Sequence, residues 1–478
     1  MIQFMITAPS SNTGKTAVTC GLLSLLERKG LRPCAFKCGP DYIDPMFHRS
    51  VMGIQSNNLD IFLAGEDGVK KVFHTYSKGH DAAVCEGVMG YYDGRSSAST
   101  EASAWHVASL LEIPAILVVR PKGSALTLAA IIKGMCEFRT PSRICGVIFN
   151  DCSEMFYKTY GPAIEKESGV PVLGYLPHME EAGFESRHLG LMTAEEIDGL
   201  AERIACIGCK LEETLDLDRL VQVTSQQDGP PAGADCSATC ADVSATVADG
   251  SDHAGISADE PVTIAVARDA AFNFIYDESL SALEKAGAKI EFFSPLRDAQ
   301  VPENACGLYL PGGYPELYGK ELSENRSMLA SIRSAVKGGM PTVAECGGFL
   351  YLSQKLADAD GKSWDMAGAL PGEAANTGKL VRFGYGYIST DEDSLLFRKG
   401  DAVPIHEFHY WDTTDAGSDL HLTKASNGKE WDFGFAGSNL YAGFPHLYFA
   451  GNDGLLAKRF AEAAKKYKTT FTDDRNED

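Results

Sequence analysis

"IQFMITAPSSNTGKTAVTCGLLSLLERKG", residues 2–30, starts as a run of large apolar residues, crosses a loop of small and polar ones, and continues as an amphipathic segment closed by Gly30. The order reads strand, loop, helix. The loop ends in Gly14-Lys15-Thr16, the tail of a phosphate-binding loop in the context such a loop needs. Small residues let backbone N–H groups turn inward onto phosphate oxygens, and the next helix brings its positive end. On this reading Asn12, Thr13 and Gly14 grip the phosphates of ATP. Lys15 pairs with the β- and γ-phosphates, and the Thr16 hydroxyl is a ligand for Mg²⁺. The first glycine of the usual pattern is absent, and Ala8-Pro9 stands in its place. The competing reading is an ordinary strand–helix turn. The strand before the loop and the Gly-Lys-Thr tail weigh against it.

The same style continues outward. "PCAFKC" (33–38), "DAAVCEG" (81–87), "PAILVV" (114–119) and "RICGVIFN" (143–150) are apolar runs bounded by turns and separated by helical patterns. Continuous apolar strands of this kind belong to a parallel sheet covered on both faces. A second module repeats it with "VTIAVA" (262–267), "KIEFFS" (289–294), "GLYLPG" (307–312) and "MPTVAEC" (340–346), and with helices expected over Tyr276–Ala286 and Asn325–Lys337. Between them, residues 222–260 are rich in Ala, Ser, Asp, Gly and Pro and contain no aromatic residue. Such a stretch cannot bury enough apolar area to offset its ordering entropy, so it reads as a flexible linker. The expectation is therefore two doubly wound α/β domains, 1–221 and 261–465, with residues 466–478 as a disordered acidic tail. Ligands should gather at the carboxyl ends of the strands.

The chain has 478 residues, 44% of them hydrophobic, and a net charge of −22. That charge argues against a general nucleic-acid or anionic-membrane surface. No apolar run reaches membrane-spanning length and the N-terminus lacks the regions of a signal peptide, so the expected location is cytoplasmic. The thirteen cysteines are scattered and are expected to be reduced. Cys206/Cys209 and Cys236/Cys240 have zinc-like spacing but no matching second pair, which favours ordinary free thiols.

Three further stretches carry chemistry. In "VCEGVMGYYDG" (84–94), Glu86 leaves a buried strand opposite the phosphate loop, where a second Mg²⁺ ligand belongs. In "KCGPDYIDPMFH" (37–48), Pro40 and Pro45 stiffen a loop carrying Asp41, Tyr42 and Asp44; its acids could bind metal or orient a substrate. In "PTVAECGGFLYL" (341–352), Cys346 stands where a strand meets Gly347-Gly348. That is a nucleophile elbow: the side chain is forced out, the next helix stabilises a thiolate, and the Gly347 N–H points where an oxyanion would form. "PGGYPELY" (311–318) could supply a second donor at Gly313. His446 in "LYAGFPHLYF" is the candidate base, with His406 and His409 of "IHEFHY" as competitors.

Together with "ESRHLGL" (185–191), these stretches resemble the cobyrinic acid a,c-diamide synthases, the glutamine-dependent enzymes of corrin biosynthesis. The resemblance spans almost the whole chain apart from the linker and the last dozen or so residues. It implies a P-loop domain similar to dethiobiotin synthetase, followed by a class I glutamine amidotransferase domain of the cobyric-acid-synthase type. It implies Cys346 as glutaminase nucleophile and His446 as its base, and it places Lys15, Thr16 and Glu86 at ATP·Mg²⁺. It assigns Asp41, Tyr42 and Asp44 to metal or the acceptor carboxylate; we take Asp41 with the metal and Tyr42 and Asp44 with the acceptor. The implied partners are small molecules (ATP, glutamine, a cobyrinic-acid-type macrocycle), with a homodimer left open. Many class I amidotransferases carry a Glu two residues after the catalytic His; here that residue is Tyr448, so the third member of the site is undetermined. Hydrogenobyrinic acid, nickel sirohydrochlorin or the substrate of a cobyric acid synthase relative are the alternative acceptors. A nucleotide-driven switch with a non-catalytic amidotransferase domain is the alternative of another class.

Overall fold

The computed structural model describes residues 1–96, 98–182, 194–225 and 261–476. The first module is built from β1 (Ile2–Thr7), α1 (Lys15–Arg28), β2 (Pro33–Cys38), α2 (Ile43–Met52), β3 (Ser56–Leu59), α3 (Ile61–Ser77), β4 (Ala82–Glu86), α4 (Ala104–Leu110), β5 (Ala115–Val119), α5 (Thr127–Glu137), β6 (Ile144–Asn150), α6 (Glu154–Ser168), β7 (Val172–Leu176), α7 (Ala194–Thr214) and α8 (Leu217–Ser225). Its seven strands lie in the order β3-β2-β4-β1-β5-β6-β7, and every pairing is parallel. Apolar side chains leave both faces of this sheet. Phe36, Cys85 and Leu117 join one core, and Phe4, Val84 and Ile116 join another beneath α1 and α7.

β3 departs from the apolar rule. Its sequence is Ser-Asn-Asn-Leu, and all four residues are buried. The side chains of Ser56 and Asn58 are satisfied by specific partners, as burial requires, while Asn57 Nδ2 has none among the described residues. Ser56 Oγ lies 3.0 Å from His48 Nδ1, and Asn58 Nδ2 donates to the carbonyls of Gly39 and Asp41 at 2.9 and 2.7 Å. A strand with this composition is invisible to a search for apolar runs, yet it clamps the 39–41 loop.

The second module follows with β8 (Val262–Ala267), β9 (Phe272–Phe274), α9 (Asp277–Lys285), β10 (Ala288–Phe293), β11 (Gly307–Leu310), β12 (Gly312–Gly313), α10 (Gly319–Glu324), α11 (Arg326–Lys337), β13 (Thr342–Glu345) and α12 (Gly347–Leu352). Eight strands between residues 355 and 433 precede β22 (Phe435–Gly437), β23 (Leu440–Gly443) and α13 (Leu455–Asn476). The central sheet runs β10-β8-β11-β13-β23-β22; its first five strands are parallel and β22 is antiparallel at the edge. Both modules are α/β, as the sequence reading expects, while the mostly antiparallel strands between 355 and 437 were not anticipated.

Two expected boundaries move. α8 carries the first module's helices to Ser225, past 221, because Leu220 fits the core under β1 and β6. Residues 226–260, with Cys236 and Cys240, lie outside the described residues, as does "ESRHLGL". The expected disordered tail from 466 is corrected: α13 continues to Asn476. Phe460, Ala461 and Ala464 are buried, and Thr469 and Thr470 donate to carbonyls one turn back, so the helix has an anchored stem from which to propagate.

The modules meet through polar bonds and an aromatic cluster. Asn58 N–H donates to Glu278 Oε1 at 2.7 Å, Tyr276 Oη to Pro40 O at 3.1 Å, Tyr385 Oη to Asp60 Oδ2 at 2.8 Å, and Tyr76 Oη to Ser281 Oγ at 2.9 Å. Leu63, Tyr276 and Tyr448 form a buried cluster between them, with Tyr42 and Phe62 packed against it.

Candidate active sites

At the phosphate end, Gly14 adopts φ 95°, and a Cβ there would fall 1.9 Å from Asn150 Nδ2. Only glycine serves on both counts. Asn150, at the end of β6, donates to Thr13 O at 2.8 Å, while Thr13 Oγ1 donates to Ser10 O at 2.9 Å. Asn12 is also left-handed, with φ 60°. The Ala8-Pro9 start is braced from the other side, since Tyr91 N–H donates to Ala8 O at 2.9 Å. The loop is therefore held in shape by its own groups and by β6.

Lys15 is buried, and its Nζ donates to Met89 O at 2.6 Å and Ser10 O at 3.2 Å. Its partners are neutral carbonyls. Burial first, and the nearby Lys37 second, hold its ammonium down to about 8. A cation so placed gains from any anion that enters.

Thr16 Oγ1 donates to Glu86 Oε1 at 2.7 Å, and Lys37 Nζ reaches the same oxygen at 2.8 Å and Asp44 Oδ2 at 2.5 Å. Lys37, Asp44 and Glu86 are all buried. Burial opposes charge on Asp44, but Lys37 outweighs it and leaves that carboxyl below its ordinary value. Burial also works against charge on Lys37, and Asp44 and Glu86 together raise its ammonium. Glu86 stays above its ordinary value, mainly through burial, and its Oε2 has no hydrogen-bond partner.

Asp44 and Thr16 thus meet Glu86, whereas Asp41, expected with the metal, uses Oδ1 to accept the N–H groups of Ile43 and Asp44 at the start of α2. Burial and then Asp44 push the Asp41 carboxyl up to about 6. Lys37 was not foreseen; a lysine near the end of the buried strand "PCAFKC" is the signal that could have found it, because a buried ammonium requires acids around it.

Among the described residues, no three His, Cys, Asp or Glu side chains are gathered as a ready cation site. Mg²⁺ does not need one, since it keeps waters and binds through one or two carboxylates together with substrate phosphates. The orphaned Glu86 Oε2 beside the Thr16 hydroxyl is a hard-oxygen set that fits it.

At the thiol end, β13 stops at Glu345 and Cys346 turns with φ 47° and ψ −106°, a conformation that a side chain rarely tolerates outside functional corners. Its N–H donates to Gly443 O at 2.8 Å on β23. The small residues around it are required by close approach. A Cβ on Gly348 would lie 2.0 Å from Leu310 O, one on Gly313 2.1 Å from Ala271 O, and one on Gly347 3.0 Å from Gly313 N. The backbones of Gly313 and Gly347, the two expected oxyanion donors, therefore abut beside the thiol.

His446 is buried, and the Cys346 side chain lies near enough to act on its charge. Its Nδ1 lies 3.8 Å from Glu345 Oε2, an ion-pair separation too long for a hydrogen bond. Burial alone would lower the imidazole, but Cys346 and Glu345 outweigh it and raise it to about 10.

The competing histidines are otherwise occupied. His406 N–H and O bridge to the backbone of His446, and burial, then the charge of His446, hold its ring down to about 3. His409 lies 3.0 Å from Glu407 Oε1 and stacks on Phe444 with centroids 3.8 Å apart. Tyr448 turns into the cluster between the modules, edge-on to Tyr276.

The segment 39–45, a loop running into the first turn of α2, reaches both ends. Asp44 stands in the Lys37–Glu86 cluster, while the Tyr42 ring stacks on Tyr276 at 4.2 Å and Phe274 at 5.1 Å and lies 5.2 Å from the His446 ring. Tyr42 therefore faces the thiol end.

Residues 4–189 match the CobQ/CobB/MinD/ParA nucleotide binding domain family, and residues 263–454 the CobB/CobQ-like glutamine amidotransferase domain family. Along its length the chain is 37% identical to the cobyrinate a,c-diamide synthase of Caldanaerobacter subterraneus subsp. tengcongensis, covering 97% of this chain and 98% of that one. The chain belongs to the cobyrinate a,c-diamide synthase family. Cobyrinate a,c-diamide synthases of Clostridium acetobutylicum (38% identical, 95% and 98% covered) and Listeria innocua (36% identical, 96% and 99% covered) are similarly related. Within this a,c-diamide synthase framework the two centres described above fall one in each matched domain. Cys206 and Cys209 sit on α7, exposed and half-buried respectively, and no helix among the described residues is long and apolar enough to cross a membrane.

Proposed function

We propose that the chain amidates the a and c carboxylates of cobyrinic acid, with ATP as activator and glutamine as nitrogen donor. It is a glutamine-dependent carbon–nitrogen ligase of cobalamin biosynthesis. The observation that carries the two-centre reading is the single segment, 39–45, that touches a phosphate-type centre through Asp44 and a thiol–imidazole centre through Tyr42.

Cys346, as thiolate, attacks the side-chain carboxamide carbon of glutamine. The negative charge on the carboxamide oxygen is met by the N–H groups of Gly347 and Gly313. His446 gives its proton to the departing nitrogen, the C–N bond breaks, and ammonia leaves a γ-glutamyl thioester. Water activated by His446 then hydrolyses the thioester to glutamate and restores the thiol.

At the other end, a carboxylate oxygen of the macrocycle attacks the γ-phosphorus of ATP, releasing ADP and forming an acyl phosphate. Carboxylate and ammonia do not condense unaided because oxide is a poor leaving group; phosphate is a good one. Asn12, Thr13 and Gly14 hold the phosphates and Lys15 gains the anion its neutral surroundings lack. Thr16 and Glu86, with Asp44 next to them, would hold Mg²⁺, which when bound neutralises charge on the transferring phosphoryl group. Ammonia attacks the acyl carbon and phosphate departs. Ammonia is largely protonated in bulk water, so a contact as close as Tyr42 to His446 favours passage between the modules. ATP, glutamine and reduced thiols together point to the cytoplasm as the place of action.

The test is a mass-spectrometric count of amides on cobyrinic acid incubated with ATP and glutamine. Two amides support the reading. A different acceptor, amidated in preference, moves the substrate; absence of both amidation and glutaminase activity overturns it.

A further inference from the structure

A thiol–imidazole pair works best when a third group fixes the imidazole, and residue 448 does not supply it, because Tyr448 packs between the modules. The carboxylate within reach belongs to the residue next to the thiol. On a regular strand Glu345 and Cys346 would point to opposite faces. The positive φ of Cys346 breaks that alternation, and both side chains meet His446.

Glu345 has no solvent exposure. Its Oε1 accepts the N–H of Leu447 at 3.0 Å, and its Oε2 accepts the hydroxyl of Tyr309 on β11 at 3.1 Å. Both donors are neutral, and each fixes the carboxylate relative to His446: one is the residue after it, the other lies on the strand next to β13. Its one ion pair among the described residues is with His446 Nδ1 at 3.8 Å. That nitrogen has no hydrogen-bond partner. Separations of this kind tighten when a catalytic site fills.

We propose that Glu345 is the positioning acid of the glutaminase centre, orienting His446 through Nδ1 and stabilising its imidazolium as Cys346 attacks. The proposal rests on the reading of Cys346 as nucleophile. The upward displacement of the His446 imidazole, against the effect of burial, is in accord with it. The other groups that face His446 are Cys346 itself, His406 on the adjacent strand and Tyr42 from the first module; those that face Glu345 are Tyr309, Tyr441, Tyr276 and Tyr42. None is a second cation, because burial and the charge on His446 keep His406 neutral.

The experiment compares wild type, Glu345→Gln, Glu345→Asp and Cys346→Ala in the full chain. Readouts are glutaminase kcat and KM, the pH profile of Cys346 alkylation by iodoacetamide, and synthesis from ammonium chloride as a check on folding. Glu345→Gln keeps size and an acceptor oxygen but removes the charge. It should lower kcat roughly 10²-fold with little change in KM, and move the alkylation midpoint upward by about one pH unit or more. Synthesis from ammonium should remain within about twofold of wild type, and Glu345→Asp should restore part of both losses. A folded Glu345→Gln with the wild-type alkylation midpoint and kcat overturns the proposal. If Glu345→Gln does not fold, NMR of histidine-labelled wild type decides: His446 doubly protonated at neutral pH supports it, and a neutral His446 overturns it. Persistence of glutaminase activity in Cys346→Ala would instead remove the reading on which the proposal rests.

Discussion

The two centres manage buried charge in opposite ways. At the phosphate end the charges are balanced for structure, with Lys37 between Asp44 and Glu86, while Lys15 is left on neutral carbonyls. At the thiol end the chain itself supplies both partners of the buried pair, with Glu345 Oε2 3.8 Å from His446 Nδ1 beside Cys346. The first centre is completed by its ligand, whereas the second carries both partners of its ion pair in the chain itself. The lesson is that nucleotide should change the electrostatics of the first site strongly and those of the second little, so the modules can be disabled separately.

The sharpest way to break this contrast is Lys15→Ala. It should reduce amide synthesis roughly 10³-fold with either glutamine or ammonium as nitrogen source, since a cation on the transferring phosphoryl is lost. Glutaminase activity measured alone should stay within about threefold; a parallel collapse would show the centres to be one unit. Glu86→Gln should act in the same direction but less, roughly 10²-fold, and most at limiting Mg²⁺. Titration of synthesis against Mg²⁺ checks this, and a normal titration would remove Glu86 from the metal set.

Lys37→Met tests whether the buried cluster is structural. With the ammonium gone, two buried carboxylates face each other, and thermal or denaturant unfolding should register a loss of about 3–5 kcal/mol in the first module. An unchanged midpoint would mean that the acids are neutral in the folded chain.

The smallest effect concerns the contact between modules. Burial raises Glu278 to about 7 from an ordinary 4.5. A carboxyl raised on folding is favourable at low pH, and its contribution is lost as pH rises from its unfolded value through its folded one. Glu278→Gln keeps an acceptor for the Asn58 N–H and removes the penalty. It should stabilise the protein by on the order of 1–3 kcal/mol above pH 7 and by little near pH 4, read as a pH-dependent difference in unfolding midpoints. An equal shift at both pH values would contradict the assignment.

Much of this was legible in the chain. Apolar runs revealed most of the parallel strands, and Gly-Lys-Thr and Glu-Cys-Gly-Gly marked both corners because each corner needs small residues whatever surrounds it. What escaped was polar and non-local. β3 reads as a loop because Asn58 bonds to the 39–41 loop and to Glu278, partners distant in sequence. Lys37 and Glu345 sit inside recognisable motifs, but their roles depend on which side chains the fold brings against them. The helical end of α13 was missed because its charged composition resembles a solvated terminus, while its anchor lies in Phe460 and Ala464 upstream.

The most direct test of the two-centre account is Cys346→Ala assayed for synthesis with glutamine and, separately, with ammonium chloride. The account predicts no amide from glutamine and near wild-type amide from ammonium. Failure of the folded variant with both nitrogen sources, or retained synthesis from glutamine, would contradict it.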